Sequence, residues 1–166
     1  AEIGLTLGSD VPYCLRGGTV AATGRGEIMR PLEPLVDVWF VLVHPDLHVN
    51  TRDVYVSPLL QKNKQERAGG FTPSFRQALK RFEARNFPEA LFNRMEGPVF
   101  SMHPQLAEIK RTLLDAGCTA AIMSGSGPTV FGLCASQTLA RAVAAKLVPL
   151  KTTVASAVPH GVEMSR

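Results

Sequence analysis

Apolar positions fall into short runs broken by glycine, proline and polar clusters, and the runs alternate between two periods. Val36 to His44 is apolar nearly throughout, as expected for an interior strand covered on both faces, and Pro45 ends it. Ala120 to Met123, Thr129 to Cys134 and Thr152 to Val158 read as three further strands. Helical spacing governs the segments between them. Thr72-Pro73 has the form of an N-cap followed by proline at the first helical position, and Phe75, Leu79 and Phe82 follow on one face. Asn86-Phe87-Pro88 interrupts, and Ala90, Leu91 and Met95 continue the helical pattern. His103-Pro104 opens a helix with Leu106, Ile109, Leu113 and Leu114 on its apolar side and Gly117 at its end. Ser136 caps another, with Leu139, Val143, Ala144 and Leu147. From residue 36 the order is β-α-α-β-β-α-β, which predicts an α+β fold: an antiparallel, ferredoxin-like sheet covered by helices.

The first 35 residues are organised differently. Residues 1–7 read as the end of a helix that stops near Gly8, Val11 to Leu15 as a short extended piece, Gly17-Gly18 as a turn, and residues 19–23 as β-prone. Gly24-Arg25-Gly26 is a second turn, before a short segment ending at Met29. Pro31 and Pro34 mark a connection and a domain boundary. Residues 50–60 lead into a polar stretch, Gln61 to Gly70, expected as a mobile surface loop.

Composition narrows the class. Hydrophobic residues are 45% of the 166 and charged residues 19%, which is foldable rather than disordered. No run is long enough to span a bilayer. The start lacks both an initiator Met and a basic-then-apolar leader, and reads as a start inside a longer protein. Net charge is +4, with Lys and Arg scattered, which does not argue for nucleic acid and is compatible with an anionic small molecule without showing one. Cys14, Cys118 and Cys134 form no disulfide framework and are expected as reduced core thiols in a cytoplasmic protein. His44 and His48 stand four apart, but Pro45 breaks any helix through them, so no zinc site is expected.

Three constellations could carry chemistry. Asp10 lies where a helix ends, a place from which a carboxylate can point into a cleft and accept a proton from a hydroxyl; it could equally cap a turn. Gly125, Ser126 and Gly127 lie in a loop between strands, where glycines let main-chain N–H groups approach an anion; a plain hairpin turn is the alternative. Thr51 and Tyr55 stand near a strand end, Tyr55 either stacking on a nucleobase or packing in the core.

Taken together, these segments resemble the diphosphocytidyl-methylerythritol kinases of the GHMP superfamily. Leu7-Gly8-Ser9-Asp10-Val11-Pro12-Tyr13-Cys14-Leu15-Arg16-Gly17-Gly18-Thr19 is similar to the segment that carries their catalytic aspartate, and Ala22-Thr23-Gly24-Arg25-Gly26-Glu27 continues it. Ser124-Gly125-Ser126-Gly127-Pro128-Thr129-Val130-Phe131 resembles the third motif of the superfamily. His44-Pro45 and Asn50-Thr51-Arg52-Asp53-Val54-Tyr55 resemble a substrate-side segment. The resemblance implies residues 1–34 as the end of an N-terminal catalytic domain and 35–166 as the C-terminal GHMP domain. It implies ATP with Mg²⁺ as cofactors and a cytidine-diphosphate methylerythritol substrate whose 2-hydroxyl receives the γ-phosphate. Asp10 would be the base, Tyr55 would pack on the cytosine and Thr51 would line the cleft. Gly125, Ser126 and Gly127 would support the phosphate site; no metal ligand is named. The family's lysine and long Gly/Ser-rich phosphate loop belong to an upstream segment that this sequence does not contain, so little activity is expected of these 166 residues alone. Cytoplasm, or a plastid in a plant or alga, is the implied location. Other readings are a GHMP kinase for another alcohol, a non-catalytic binding domain of the same fold, or an RNA-binding ferredoxin-like sheet, which lacks the needed aromatic pattern and basic stripe.

Overall fold

The computed structural model describes residues 6–8, 10–24, 26, 28–61 and 72–161. Residues 1–5 of the expected first helix, Ser9, Arg25, Glu27 and the polar stretch 62–70 lie outside the described residues. In chain order the elements are α1 (Val11–Arg16), β1 (Val20–Thr23), β2 (Ile28–Pro31), β3 (Trp39–Val43), α2 (Thr51–Val56), α3 (Pro58–Gln61) and α4 (Pro73–Glu83). Then come α5 (Phe87–Ala90), α6 (Glu96–Met102), α7 (Pro104–Asp115), β4 (Ala120–Met123), β5 (Val130–Cys134), α8 (Gln137–Lys146) and β6 (Thr152–Ser156).

Four strands form one antiparallel sheet in the order β4-β5-β3-β6, the ferredoxin-like arrangement expected from the alternation of elements. β3 is an interior strand, as its apolar run predicts. Its alternate residues Val41 and Val43 are fully buried, while Phe40 and Leu42 on the opposite face are half-buried. The two faces are thus covered unequally. On the first, α7 and α8 lay Leu106, Ile109, Leu113, Ala140 and Val143 over Val41, Val43 and Val130. Each fully buried aliphatic side chain there contributes roughly 1.5–3 kcal/mol of transfer free energy. The second face carries a smaller aromatic cluster. Phe40 meets Phe131 edge-on at 5.9 Å between centroids, and Phe82 meets Phe87 at 5.6 Å.

Local chemistry sets the helix starts. Thr72 Oγ1 accepts from the Phe75 N–H (3.1 Å) and Ser136 Oγ from the Leu139 N–H (3.1 Å), so both expected caps form. Leu114 departs from the expected apolar face and is exposed.

Of the segments that differ from the sequence reading, two lie beside candidate site residues. Residues 11–16 form a helix, not an extended piece. Pro12 sits in its first turn, where a missing N–H costs no hydrogen bond, so the proline that stops one helix opens the next. Residues 51–61, rich in β-branched and polar side chains, form two short helices. Asn50 starts the first by accepting from the Arg52 N–H through its side chain (3.0 Å).

The β1–β2 hairpin pairs Val20 with Pro31 through Thr23 with Ile28. It is tied back by the Leu35 N–H, which donates to Thr19 Oγ1 (3.2 Å), and by Arg30 to Glu83 (3.3 Å) on α4. Past β6 the chain crosses the end of α1: the Gly161 N–H donates to Arg16 O (3.0 Å). Gly17 has φ 67° and ψ −161°, a region nearly exclusive to glycine, and a Cβ there would collide with the main chain at His160–Gly161.

Candidate functional site

β4 and β5 pair up to Met123 and Val130, and the Ser124 N–H donates to Thr129 O (2.9 Å), carrying the ladder one step into the connecting loop. The loop closes on itself when the Gly127 N–H donates to Ser124 O (2.8 Å). Gly125 (φ 54°) and Gly127 (φ 83°) both take left-handed conformations, and the Gly127–Pro128 peptide is cis. A Cβ on Gly127 would stand 2.9 Å from Met123 Sδ. The Gly125 and Ser126 N–H groups make no hydrogen bond with any described residue. The loop therefore presents two consecutive free donors, the feature by which such turns accept anions.

Across from it lies α2. Thr51 Oγ1 and Ser126 Oγ are 2.9 Å apart, so the fold joins two of the sequence-predicted site residues directly. Tyr55 follows Thr51 by four residues, which sets it on the same side of the helix one turn on. It is 50% exposed, on a helix rather than at a strand end, and does not pack in the core. An exposed ring at the rim of a polar cluster can stack on a planar ligand.

Asp10 occupies the N-cap position of α1 with φ −89° and ψ −14°, and its carboxylate makes no capping bond. The Cys14 N–H donates to Asp10 O (3.0 Å), so the main chain is anchored while the exposed side chain is not. Among the described residues, no hydrogen bond or ion pair joins Asp10 to Thr51, Tyr55 or the 124–128 loop. The helix that carries it backs onto an open groove of about 530 Å³ between Tyr13, Cys14, Phe40 and Ser156.

Three residues not singled out from the sequence hold the loop. Asn93 Nδ2 donates to Met123 O and to Gly125 O, each at 2.8 Å. Glu96 accepts from the Met123 N–H (2.9 Å) through one carboxylate oxygen and from Lys110 Nζ (2.7 Å) through the other. β4 is an edge strand, and these side chains satisfy outward main-chain groups at its end.

The thiols divide. Cys14 is exposed, against expectation, because only Pro12 of α1 is buried. Cys118 and Cys134 are buried with sulfurs 3.6 Å apart. Burial, its hydrogen bond with Cys134 and the charge on Cys134 push the Cys118 thiol up to about 12. Burial also raises Cys134, against a smaller lowering by its hydrogen bond to Cys118. Neither is a thiolate at neutral pH, so neither is a nucleophile. His44 Nε2 lies 3.1 Å from Thr153 Oγ1. Among the described residues, no three His, Cys, Asp or Glu side chains converge as a metal cage, and no helix is long and apolar enough to cross a membrane.

Residues 75–149 match the family described as GHMP kinases C terminal. The 4-diphosphocytidyl-2-C-methyl-D-erythritol kinase of Heliobacterium modesticaldum is 42% identical over 153 residues, covering 85% of this chain and 49% of its own length. That of Pelotomaculum thermopropionicum is 42% identical over 147 residues, covering 87% and 50%. A crystal structure of 4-(cytidine 5'-diphospho)-2C-methyl-D-erythritol kinase superposes with a TM-score of 0.69 at 32% identity, over 90% of this chain and 53% of that one. A homoserine kinase from Cytophaga hutchinsonii superposes with a TM-score of 0.64 at 20% identity, a likeness of fold alone. The chain spans about half the length of the curated relatives it matches. With the ferredoxin-like sheet, the Gly/Ser loop and these identities together, the chain matches the GHMP kinases C terminal family over residues 75–149 and is similar, over about half their length, to the 4-diphosphocytidyl-2-C-methyl-D-erythritol kinases.

Proposed function

We propose that this chain is the C-terminal half of an ATP-dependent kinase that phosphorylates the 2-hydroxyl of 4-diphosphocytidyl-2-C-methyl-D-erythritol, a step toward isoprenoid precursors. The observation that carries this reading is the 2.9 Å contact between Thr51 and Ser126, which brings the substrate-side helix against the Gly/Ser loop. The 42% identity with two kinases of that name supports the choice of substrate. Residues 1–34 are assigned to the end of the N-terminal catalytic domain and 35–166 to the C-terminal domain. The partner of the chain is then the upstream segment of such a kinase, with its lysine and phosphate loop, and neither nucleic acid nor membrane is involved. The reaction is placed in the cytoplasm, or in a plastid for a plant or alga.

In this reading the uncapped carboxylate of Asp10 accepts the proton of the 2-hydroxyl as its oxygen attacks the γ-phosphorus of ATP and the bond from that phosphorus to the bridging oxygen breaks, releasing ADP. Tyr55 stacks on the cytosine from the rim, and Thr51 lines the cleft. Gly125 and Ser126 offer their free N–H groups to the phosphate side, and Gly127 permits the turn. Mg²⁺ would arrive on the nucleotide phosphates, where it would neutralise their charge.

The test is ATP-dependent phosphorylation of diphosphocytidyl-methylerythritol by the 166-residue chain and by the chain extended with its upstream half. Turnover is expected only in the extended protein, and Asp10→Asn should lower kcat by about 10²–10⁴-fold. Substantial turnover by the chain alone would overturn this account of the phosphate site. An inactive extended protein would move the assignment to another alcohol or to a binding role.

A further inference from the structure

Asn93 uses both amide hydrogens on main-chain carbonyls of a segment 30 and 32 residues away. Its own oxygen accepts from the Met95 N–H (2.9 Å), so the amide orientation is fixed by three bonds. The consequence follows from the planarity of the trans peptide, in which C=O and N–H of one unit point in opposite directions. Drawing the Met123 carbonyl toward Asn93 turns the Ser124 N–H the other way, where it meets Thr129 O. Drawing the Gly125 carbonyl toward Asn93 likewise turns the Ser126 N–H away from Asn93, and that N–H makes no hydrogen bond with any described residue. Glu96 steadies the same place by holding the Met123 N–H, with Lys110 on its second oxygen. Asn93 and Glu96 flank the start of α6, against which α3 also packs, so the substrate-side helices and the loop share one support.

We propose that Asn93 is a positioning residue for phosphoryl transfer: it sets the plane of the Gly125–Ser126 peptide and thereby aims the Ser126 N–H at the nucleotide phosphates. This rests on the kinase reading above, with the loop on the nucleotide side. Asn93→Asp keeps the acceptor for the Met95 N–H but faces two carbonyls with a carboxylate, so the peptide should rotate. Asn93→Ala removes the fork without adding charge.

Both variants are made in the extended protein and assayed by steady-state kinetics, melting temperature and hydrogen exchange. The KM for ATP is expected to rise about tenfold in Asn93→Ala and further in Asn93→Asp, with the KM for the cytidine substrate unchanged, as loss of two aligned hydrogen bonds predicts. The amides of Ser124 and Gly127 should exchange about tenfold faster, with residues 39–43 unaffected. A fall in melting temperature with both KM values shifted equally, or with neither shifted, would mean a merely structural role and overturn the proposal. Unchanged exchange at Ser124 and Gly127 would overturn it as well. Exchange is read without turnover, so an inactive wild-type protein would count against the kinase reading while the hold on the loop was still decided.

Discussion

The Ser124–Pro128 loop and the Asp10 turn carry the two ends of the candidate site, and they are held by different means. The loop is fixed by side chains from three elements: Thr51 on α2, Asn93 and Glu96 at the start of α6, and Lys110 on α7 behind Glu96. Among the described residues Asp10 is held only through its main chain, at the start of a six-residue helix that buries only Pro12. Its arm rests on the rest of the molecule through a glycine crossing at residues 17 and 161 and through the hairpin. One end of the site is built within this fold; the other is presented with its carboxylate uncommitted. Phosphoryl transfer depends on several groups converging on one phosphorus. A prebuilt loop and a carboxylate held through its main chain fit the proposed kinase site, completed by contacts from elsewhere.

The largest effect that would break this contrast is expected at Glu96. Its side chain is 16% exposed and that of Lys110 is 29%, so the pair is partly shielded from solvent. Glu96→Ala leaves both the ammonium and the Met123 N–H without a partner, at a cost of about 2–3 kcal/mol. Glu96→Gln should cost less, since an amide oxygen can still accept from Met123. Urea denaturation measures both. A loss under about 0.5 kcal/mol in Glu96→Ala would show that the loop does not depend on this support.

These supports also mark where the sequence stops being readable. The strands, the Thr72 and Ser136 caps and the Gly/Ser loop rest on local signals: a period of two, a hydroxyl before a helix, glycines between apolar runs. Asn93 and Glu96 act on residues about thirty positions away, and nothing in the chain around them announces that reach. The two short helices near the site fail for another reason. α1 and α2 have six residues each, too few for an amphipathic period to show. Thr51-Arg52-Asp53-Val54-Tyr55-Val56 has the β-branched character of a strand. The Asn50 cap was the available signal, and it decides the structure because tertiary packing buries Val54 completely. The same brevity misplaced Tyr55 at a strand end and Cys14 in the core. The pairing of Thr51 with Ser126, 75 residues apart, was legible only as membership of two motifs, not as contact.

A middle-sized effect should separate the arm from the sheet. Gly17→Ala puts a side chain into a backbone region open almost only to glycine and against the His160–Gly161 main chain. The expected cost is about 1–2 kcal/mol, confined to the arm. Hydrogen exchange should rise at residues 13–18 and 157–161 and stay unchanged at Ser124 and Gly127. Faster exchange in the loop would mean that the two ends are coupled within this fold, and the contrast drawn above would fail.

The smallest effect on stability should come from Tyr55, and that smallness is what makes it informative. A ring that is half exposed on a short helix gives little to folding, so Tyr55→Ala should change stability by no more than about 0.5 kcal/mol. If Tyr55 instead belongs to the ligand, its removal should weaken binding of the cytidine substrate by about tenfold, the scale of one lost stacking contact. Tyr55→Phe should restore binding, because stacking uses the ring and not the hydroxyl. Calorimetry of substrate binding beside urea denaturation, on the extended protein, reads the two effects separately. A large loss of stability with unchanged binding would return Tyr55 to a packing role and leave Thr51 as the contact of α2 with the loop.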